Sequence, residues 1–182
     1  MGIPRRGLVL LVAAVLALAW LAGRPDAPLP PPPLGPLPAP AARPPAPDFS
    51  LPAADGERTT LADFRGRVLI LNFWATWCRP CRHELPALQS LRDTLVDEGL
   101  EVVGVSVDAS DPESVARFAR DQGARFPILH DPSEEVARRF ATAAWPTTFV
   151  IDREGRQVYG IVGAWDWAAP ETLAALRTLL DR

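Results

Sequence analysis

The chain has 182 residues, a net charge of −3 and 48% hydrophobic residues, and all 19 of its basic residues are arginines. The length that follows residue 47 suits one globular domain with a substantial core. No block of like charge interrupts this part, so the composition excludes an extended nucleic-acid surface, and we expect no polynucleotide partner.

The first 23 residues have the pattern of an export signal. Arg5 and Arg6 precede an apolar stretch over residues 8–22, and Pro25 follows it closely. A helix of that stretch spans roughly 20 Å, short of a ~30 Å hydrocarbon core, so signal peptide and membrane anchor are both open. The small-x-small site at residues 17–19 lies inside the apolar run, and no cysteine is available for lipidation. We therefore favour an uncleaved single-pass anchor in a bacterial membrane, with the domain on the periplasmic side, over secretion after cleavage.

Residues 24–47 are predicted to be a proline-rich, disordered spacer. Twelve of the 21 prolines fall there, with little charge and no periodicity. Polyproline II chain extends about 3.1 Å per residue, so such a spacer could hold a domain up to ~70 Å from a membrane. The alternative is a disordered tail with no required length.

Residues 48–182 alternate strand and helix patterns and are predicted to form one α/β domain. Two short runs flank Asp55-Gly56 and predict an N-terminal β-hairpin, and the remaining order predicts a mixed sheet with helices on both faces. The predicted elements are hairpin strands over 49–51 and 58–61, strands over 68–73, 101–107, 148–152 and 157–161, and helices over 79–97, 112–123, 131–140 and 170–180. Residues 128–129 are too short to assign.

Cys78 and Cys81 are the only cysteines of the chain. A C-x-x-C disulfide closes so short a loop that it stabilises a fold by only about 2 kcal/mol, which makes it a weak structural crosslink. The strand pattern before the pair and the helix pattern after it place Cys78 at a helix N-terminus. The pair is therefore predicted to be a redox disulfide.

The helix gives the two sulfurs different predicted roles. Cys78, beside Arg79 and the free N–H groups of the helix start, is the candidate nucleophile, because that setting favours a thiolate. Pro80 fits the first turn. Cys81, one turn deeper, is the resolving thiol. Glu84 lies three residues further along the same row and is the candidate acceptor of the Cys81 proton. A solvated surface glutamate is the alternative.

The run FWATWCRPC at residues 73–81 resembles the active site of thioredoxin-fold proteins. Its surroundings resemble the extracytoplasmic TlpA/ResA/CcmG branch of membrane-tethered thiol-disulfide oxidoreductases. The matching segments are residues 48–51, 72–74, 84–86, 103–108, 145–152 and Gly163. The resemblance implies a three-layer thioredoxin-like sandwich over 48–182. Cytoplasmic thioredoxins usually carry a buried Asp where this chain has Asn72, whereas this branch carries an active-site Glu at the position of Glu84.

The resemblance also implies a substrate-binding surface around the cysteines. Pro146 matches the family's cis-proline, which leaves the preceding backbone free to pair with a substrate strand. Trp77 is expected at the rim and Trp74 in the core. The implied substrate-binding residues are Trp77, Arg79, Pro80, Trp145, Pro146 and Thr147.

The residues fit other kinds of site less well. A zinc site would need both cysteines with His83 and His130, but His83 points about 140° away from Cys78 on a helix. Covalent haem attachment needs a histidine where Arg82 stands. We expect neither metal nor cofactor. A peroxiredoxin-like peroxidase and a non-enzymatic module with an inert disulfide remain alternatives.

The direction of electron flow is not encoded in the cysteine motif. The branch that the chain resembles is mostly reducing and supplies thiols for cytochrome c maturation or similar targets. We therefore expect a reductase of disulfides in exported proteins, such as apocytochrome c, recharged by a membrane thiol donor of the DsbD/CcdA type. A disulfide-forming oxidase is the alternative.

Overall fold

The computed structural model describes residues 34–182. Seven strands and four helices follow in chain order: β1 Ser50–Pro52, β2 Arg58–Thr60, β3 Val68–Trp74, α1 Arg79–Leu95, β4 Leu100–Ser106, α2 Pro112–Asp121, β5 Ile128–His130, α3 Glu135–Arg139, β6 Thr147–Ile151, β7 Gln157–Val162 and α4 Pro170–Leu180. The predicted export signal or anchor at 1–23, and the first part of the predicted spacer, lie outside the described residues. Among the residues described, no helix is long and apolar enough to cross a membrane.

The central sheet has the strand order β5-β4-β3-β6-β7. β3 runs parallel to β4 and antiparallel to β6, so the sheet is mixed. All seven residues of β3 are buried, because this apolar strand has neighbours on both edges and layers on both faces. A separate antiparallel pair, β1 with β2, forms the predicted hairpin. The α/β class, the mixed sheet and the added hairpin are confirmed.

Helices cover both faces of the sheet. Successive strand residues point to opposite faces, so Asn72 and Trp74 share one face and Phe73 lies on the other. Asn72 contacts Glu84 of α1, and the ring of Trp74 stacks on Phe118 of α2. The ring of Phe73 packs instead against Phe140, directly after α3. The site between β3 and α1 is thus enclosed within a three-layer domain.

Two elements differ from the sequence prediction by more than two residues. β5 forms at Ile128–His130, where the apolar run was too short to assign, because pairing with β4 supplies the hydrogen bonds that a short strand lacks by itself. The helix predicted to begin at residue 131 begins at Glu135 instead. The carboxylate of Asp131 accepts the N–H groups of Glu135 and Ala137, so Asp131 lies in the turn before α3.

The folded domain starts earlier than residue 48. Arg43 lies in the predicted spacer, yet it is 4% exposed and its Nη1 lies 3.0 Å from the Asp152 carboxylate, after β6. The N–H of Gln157 donates to the Pro44 carbonyl at 2.8 Å, which extends the sheet edge at β7. Residues 43–47 are therefore part of the packed domain and not of a spacer. Composition could not show this, because one charge in a proline run forms its ion pair 109 residues away.

Replacing Arg43 by methionine should destabilise the protein by about 3 kcal/mol, because it leaves the Asp152 carboxylate buried without its countercharge. Urea unfolding at pH 7 measures the change. Arg120→Met is the matched control, since Arg120 is exposed and forms no ion pair within the described residues. A loss below 1 kcal/mol for Arg43→Met would show that the segment adds little to the fold.

Candidate active site

Cys78 and Cys81 form a disulfide at the start of α1. Cys78 is the N-cap of that helix, and its Sγ accepts the N–H of Cys81 at 3.3 Å. Pro80 occupies the first turn, where its missing N–H leaves no helix bond unmade. Cys78 is 6% exposed and Cys81 is 1% exposed. An incoming thiol or disulfide can therefore approach Cys78 more readily than Cys81.

Glu84 is buried and not a solvated surface residue. Only 3% of its surface is exposed, since the side chain points from α1 into the space between the helix and the sheet. Its Oε1 accepts the indole N–H of Trp167 at 2.7 Å and the backbone N–H of Trp165 at 3.0 Å. Its Oε2 lies 3.3 Å from Nδ2 of Asn72. The alternative of an exposed glutamate is excluded by this geometry.

Burial raises the pKa of Glu84 from 4.5 to about 7. The three hydrogen bonds favour the charged form and oppose this shift, but the loss of hydration is the larger effect. Helical spacing puts this carboxyl one turn from Cys81. A group with this pKa can both accept and return a proton near neutral pH.

Trp165 and Trp167 are site residues that the sequence did not indicate. Both lie in the loop between β7 and α4, more than 80 residues beyond Glu84. Trp165 also donates its indole N–H to Thr172 of α4 at 3.1 Å, which places α4 on the same face as α1. The two tryptophans in the run Trp165-Asp-Trp167 were the only available signal, and such residues are more often simply packed in a core.

The Trp145–Pro146 peptide bond is cis. Pro146 comes directly before β6, whose first residue, Thr147, pairs with Phe73 near the end of β3. The Pro146 carbonyl accepts the N–H of Gly163 at 2.8 Å. The cis-proline and the cysteines thus lie at the same end of the sheet, where β3 runs out and α1 begins. Trp145 is half-buried, whereas Pro146 and Thr147 are buried.

The other residues singled out by sequence divide into core and surface. Trp74 is fully buried and belongs to the core, as predicted. Trp77 is 65% exposed beside the disulfide, and Arg79 and Pro80 are exposed next to it.

The two histidines lie apart from the disulfide chemistry. His83 is exposed on α1, whereas buried His130 holds the Asp108 carbonyl through Nε2 at 2.8 Å. Across residues 34–182, no group of three or more His, Cys, Asp or Glu side chains could hold a metal ion.

Comparison with known proteins agrees with this geometry. The AhpC/TSA family model matches residues 43–159 and so begins at the buried Arg43. The chain is 39% identical over 119 residues to the thiol-disulfide oxidoreductase ResA of Geobacillus kaustophilus, covering 65% of this chain and 67% of that protein.

Solved structures show the same architecture. A thiol:disulfide interchange protein of the thioredoxin family from Chlorobium tepidum superposes with a TM-score of 0.66 at 32% identity, covering 78% of this chain and 99% of that one. A secreted thiol-disulfide isomerase from Corynebacterium glutamicum gives a TM-score of 0.71 at 28% identity, covering 80% and 91%. The thioredoxin-like fold is therefore confirmed. These matches and the disulfide at the start of α1 show that the chain belongs to the AhpC/TSA family and is one of its thioredoxin-fold thiol-disulfide oxidoreductases.

Proposed function

We propose that the protein reduces disulfide bonds of exported proteins, with Cys78 as the attacking thiol, Cys81 as the resolving thiol and Glu84 as the proton acceptor. The observation that carries this proposal is the buried Glu84 carboxyl, one helical turn from Cys81, with a pKa raised to about 7. An inert structural disulfide has no use for such a group. A resolving thiol needs one, because only its thiolate attacks.

The first step begins from the reduced pair. The Cys78 thiolate attacks one sulfur of the substrate disulfide, a new sulfur–sulfur bond forms, and the other substrate sulfur leaves as a thiolate that takes a proton from water. The greater exposure of Cys78 suits it to this step. The helix N-terminus stabilises the attacking thiolate before the reaction.

The second step releases the substrate. Glu84 accepts the Cys81 proton, and the Cys81 thiolate attacks Cys78 Sγ. The bond between Cys78 and the substrate breaks, and the second substrate sulfur leaves as a thiol after protonation. The substrate gains two electrons, and the enzyme is left with the Cys78–Cys81 disulfide that the structure contains. Burial of Cys81 keeps external thiols away from it, so resolution within the enzyme is favoured.

The surface around the disulfide is formed by Trp77, Arg79 and Pro80. Our proposed substrate contacts are these three residues together with Trp145, Pro146 and Thr147. Large exposed indole surface beside a reactive sulfur favours a protein partner, because it buries apolar area on contact. The sequence pattern of residues 1–23 supports a tether to the membrane from its periplasmic side. The substrate class is exported disulfide proteins such as apocytochrome c, and a membrane thiol donor of the DsbD/CcdA type re-reduces the enzyme.

The reduction potential of the Cys78–Cys81 pair tests the direction of electron flow. We expect a value well below about −200 mV at pH 7, measured by equilibration with defined thiol–disulfide buffers. The reduced protein should then cleave the interchain disulfides of insulin, with one enzyme disulfide formed for each substrate disulfide reduced. A value near about −120 mV would make the protein an oxidase, and stoichiometric consumption of hydrogen peroxide would make it a peroxidase.

A further inference from the structure

Asp108 is a buried carboxylate that the mechanism above does not use. It follows β4 by two residues and is 2% exposed. Its Oδ2 accepts the backbone N–H of Thr76 at 2.9 Å and the hydroxyl of Ser106 at 2.7 Å. Its Oδ1 accepts the Thr76 hydroxyl at 2.5 Å. One carboxylate thus holds both the backbone and the side chain of Thr76.

Thr76 lies in the turn that presents the attacking cysteine. The N–H of Cys78 donates to the Ala75 carbonyl at 3.2 Å, so residues 75–78 close one turn before α1 begins. Thr76 is inside that turn, and no regular strand or helix holds it. The Asp108 side chain therefore supplies the anchor that connects this turn to the end of β4.

Ser106 and His130 hold the backbone of Asp108 in place. The backbone N–H of Asp108 donates to Ser106 Oγ at 3.1 Å. Nε2 of His130 lies 2.8 Å from the Asp108 carbonyl, and because a carbonyl only accepts, the histidine carries its proton on Nε2. Ser106 is fully buried and His130 nearly so. These contacts leave Asp108 little freedom to move away from the cysteine turn.

Asp108 also places a carboxylate directly against the turn that carries Cys78. Within residues 34–182 this carboxylate forms no ion pair. Its charge is held by the neutral hydrogen-bond donors of Thr76 and Ser106, and Thr76 lies two residues before Cys78 in the chain. A nearby negative charge disfavours a thiolate and so opposes the helix N-terminus. A less stable thiolate makes the reduced pair less stable relative to the disulfide, which lowers the reduction potential.

We propose that Asp108 is a positioning residue for the redox site, which holds the turn carrying Cys78 and lowers the reduction potential of the Cys78–Cys81 pair through its charge. The inference rests on the proposed function only in that Cys78 is the attacking thiol. The potential is a property of the enzyme alone and needs no substrate. The absolute potential of the unmodified protein tests the proposed direction of electron flow, whereas the difference between variant and unmodified protein tests Asp108.

The charge is tested with Asp108→Asn. The amide oxygen in the Oδ2 position can still accept the Thr76 N–H and the Ser106 hydroxyl, while the NH₂ in the Oδ1 position donates to the Thr76 hydroxyl oxygen. Equilibration with glutathione, followed by tryptophan fluorescence, should show the reduced form favoured about tenfold more than in the unmodified protein, a potential about 30 mV more positive. Asp131→Asn is the matched control, since Asp131 is equally buried and holds the N–H groups that begin α3. If the equilibrium constant of Asp108→Asn with glutathione lay within twofold of the constants of the unmodified protein and of this control, the charge effect would be overturned.

The anchor is tested separately with Thr76→Val, which keeps the charge and the backbone hydrogen bond but removes the hydroxyl. Thr76 is only half-buried, so this change leaves the core intact. We expect the equilibrium constant with glutathione to stay within twofold of that of the unmodified protein. The attack of the reduced enzyme on insulin should slow about fivefold, as the loss of one hydrogen bond predicts. An unchanged rate of attack would show that the Asp108–Thr76 contact does not position Cys78.

Discussion

Replacing Cys81 by serine should turn the enzyme into a covalent trap. Cys78 would still attack a substrate disulfide, but the mixed disulfide would persist, because no internal thiol can resolve it. Turnover with insulin should fall at least about 1,000-fold, as expected for loss of one member of a catalytic pair. Non-reducing electrophoresis and intact mass should show one substrate chain bound per enzyme, released by dithiothreitol.

Cys78→Ser is the matched control for the trap. It lacks the same disulfide and should lose the same stability, about 2 kcal/mol, yet it should capture almost no substrate. Cys81 is 1% exposed in the folded enzyme, so an external disulfide cannot approach it. Capture by Cys78→Ser but not by Cys81→Ser would reverse the two roles and refute the assignment made from exposure and helix position.

Glu84→Gln should remove the pH dependence of the resolving step. In the unmodified enzyme that step should accelerate as the pH rises towards 7 and level off above it, because only the carboxylate accepts the Cys81 proton and its pKa is about 7. The variant should resolve the mixed disulfide about 100-fold more slowly at pH 8. Stopped-flow release of a fluorescent substrate thiol, measured from pH 5 to 9, gives the profile.

The amide fits the site of Glu84 without a new clash. Its oxygen can accept from the indole of Trp167, and Asn72 can turn its own amide so that its oxygen accepts the introduced NH₂. Asn72→Ala is a useful control, since it removes one hydrogen bond to Glu84 and leaves the acid in place. A Glu84→Gln enzyme with the original rate and the original inflection near pH 7 would exclude Glu84 as proton acceptor.

Glu84→Gln should also change the pH dependence of stability. In the unmodified protein the resolving rate rises towards pH 7, whereas the free energy of unfolding falls. The folded protein holds the Glu84 proton up to about pH 7, whereas the unfolded chain releases it near 4.5, so between these values the folded state binds more protons. The free energy of unfolding therefore falls as the pH rises from 4.5 to 7, by up to about 3 kcal/mol. Glu84→Gln should lose less stability over that range, measured by urea unfolding of the oxidised protein.

The redox pair could be predicted from sequence because its signals are local. Two cysteines three residues apart, an apolar β-prone run before them and a helical pattern after them determine where the sulfurs lie relative to a helix start. Glu84 was predicted from the same helical spacing. Burial, however, was not predictable from that spacing, and burial is what raises the Glu84 pKa.

The features missed are those made by distant parts of the chain. Trp167 reaches Glu84 across 83 residues, and Asp108 reaches Thr76 across 32. Arg43 was assigned to a spacer, since nothing near it in the chain shows that Asp152 will meet it. A proline-rich composition describes the local backbone preference, but the buried ion pair and the sheet-edge hydrogen bonds override that preference from residue 43 onward.

The amino-acid sequence by itself determined the chemistry of this protein. The positions of the two thiols relative to the helix N-terminus are set by residues next to them in the chain. The tertiary structure alone decided how the chemistry is tuned. In the folded protein Glu84 is buried against Trp165 and Trp167, and the Asp108 carboxylate is bonded to the turn before Cys78. Arg43 is paired with Asp152. The physical reason is that burial and electrostatic coupling depend on distances through space, which the fold creates between residues far apart in the chain.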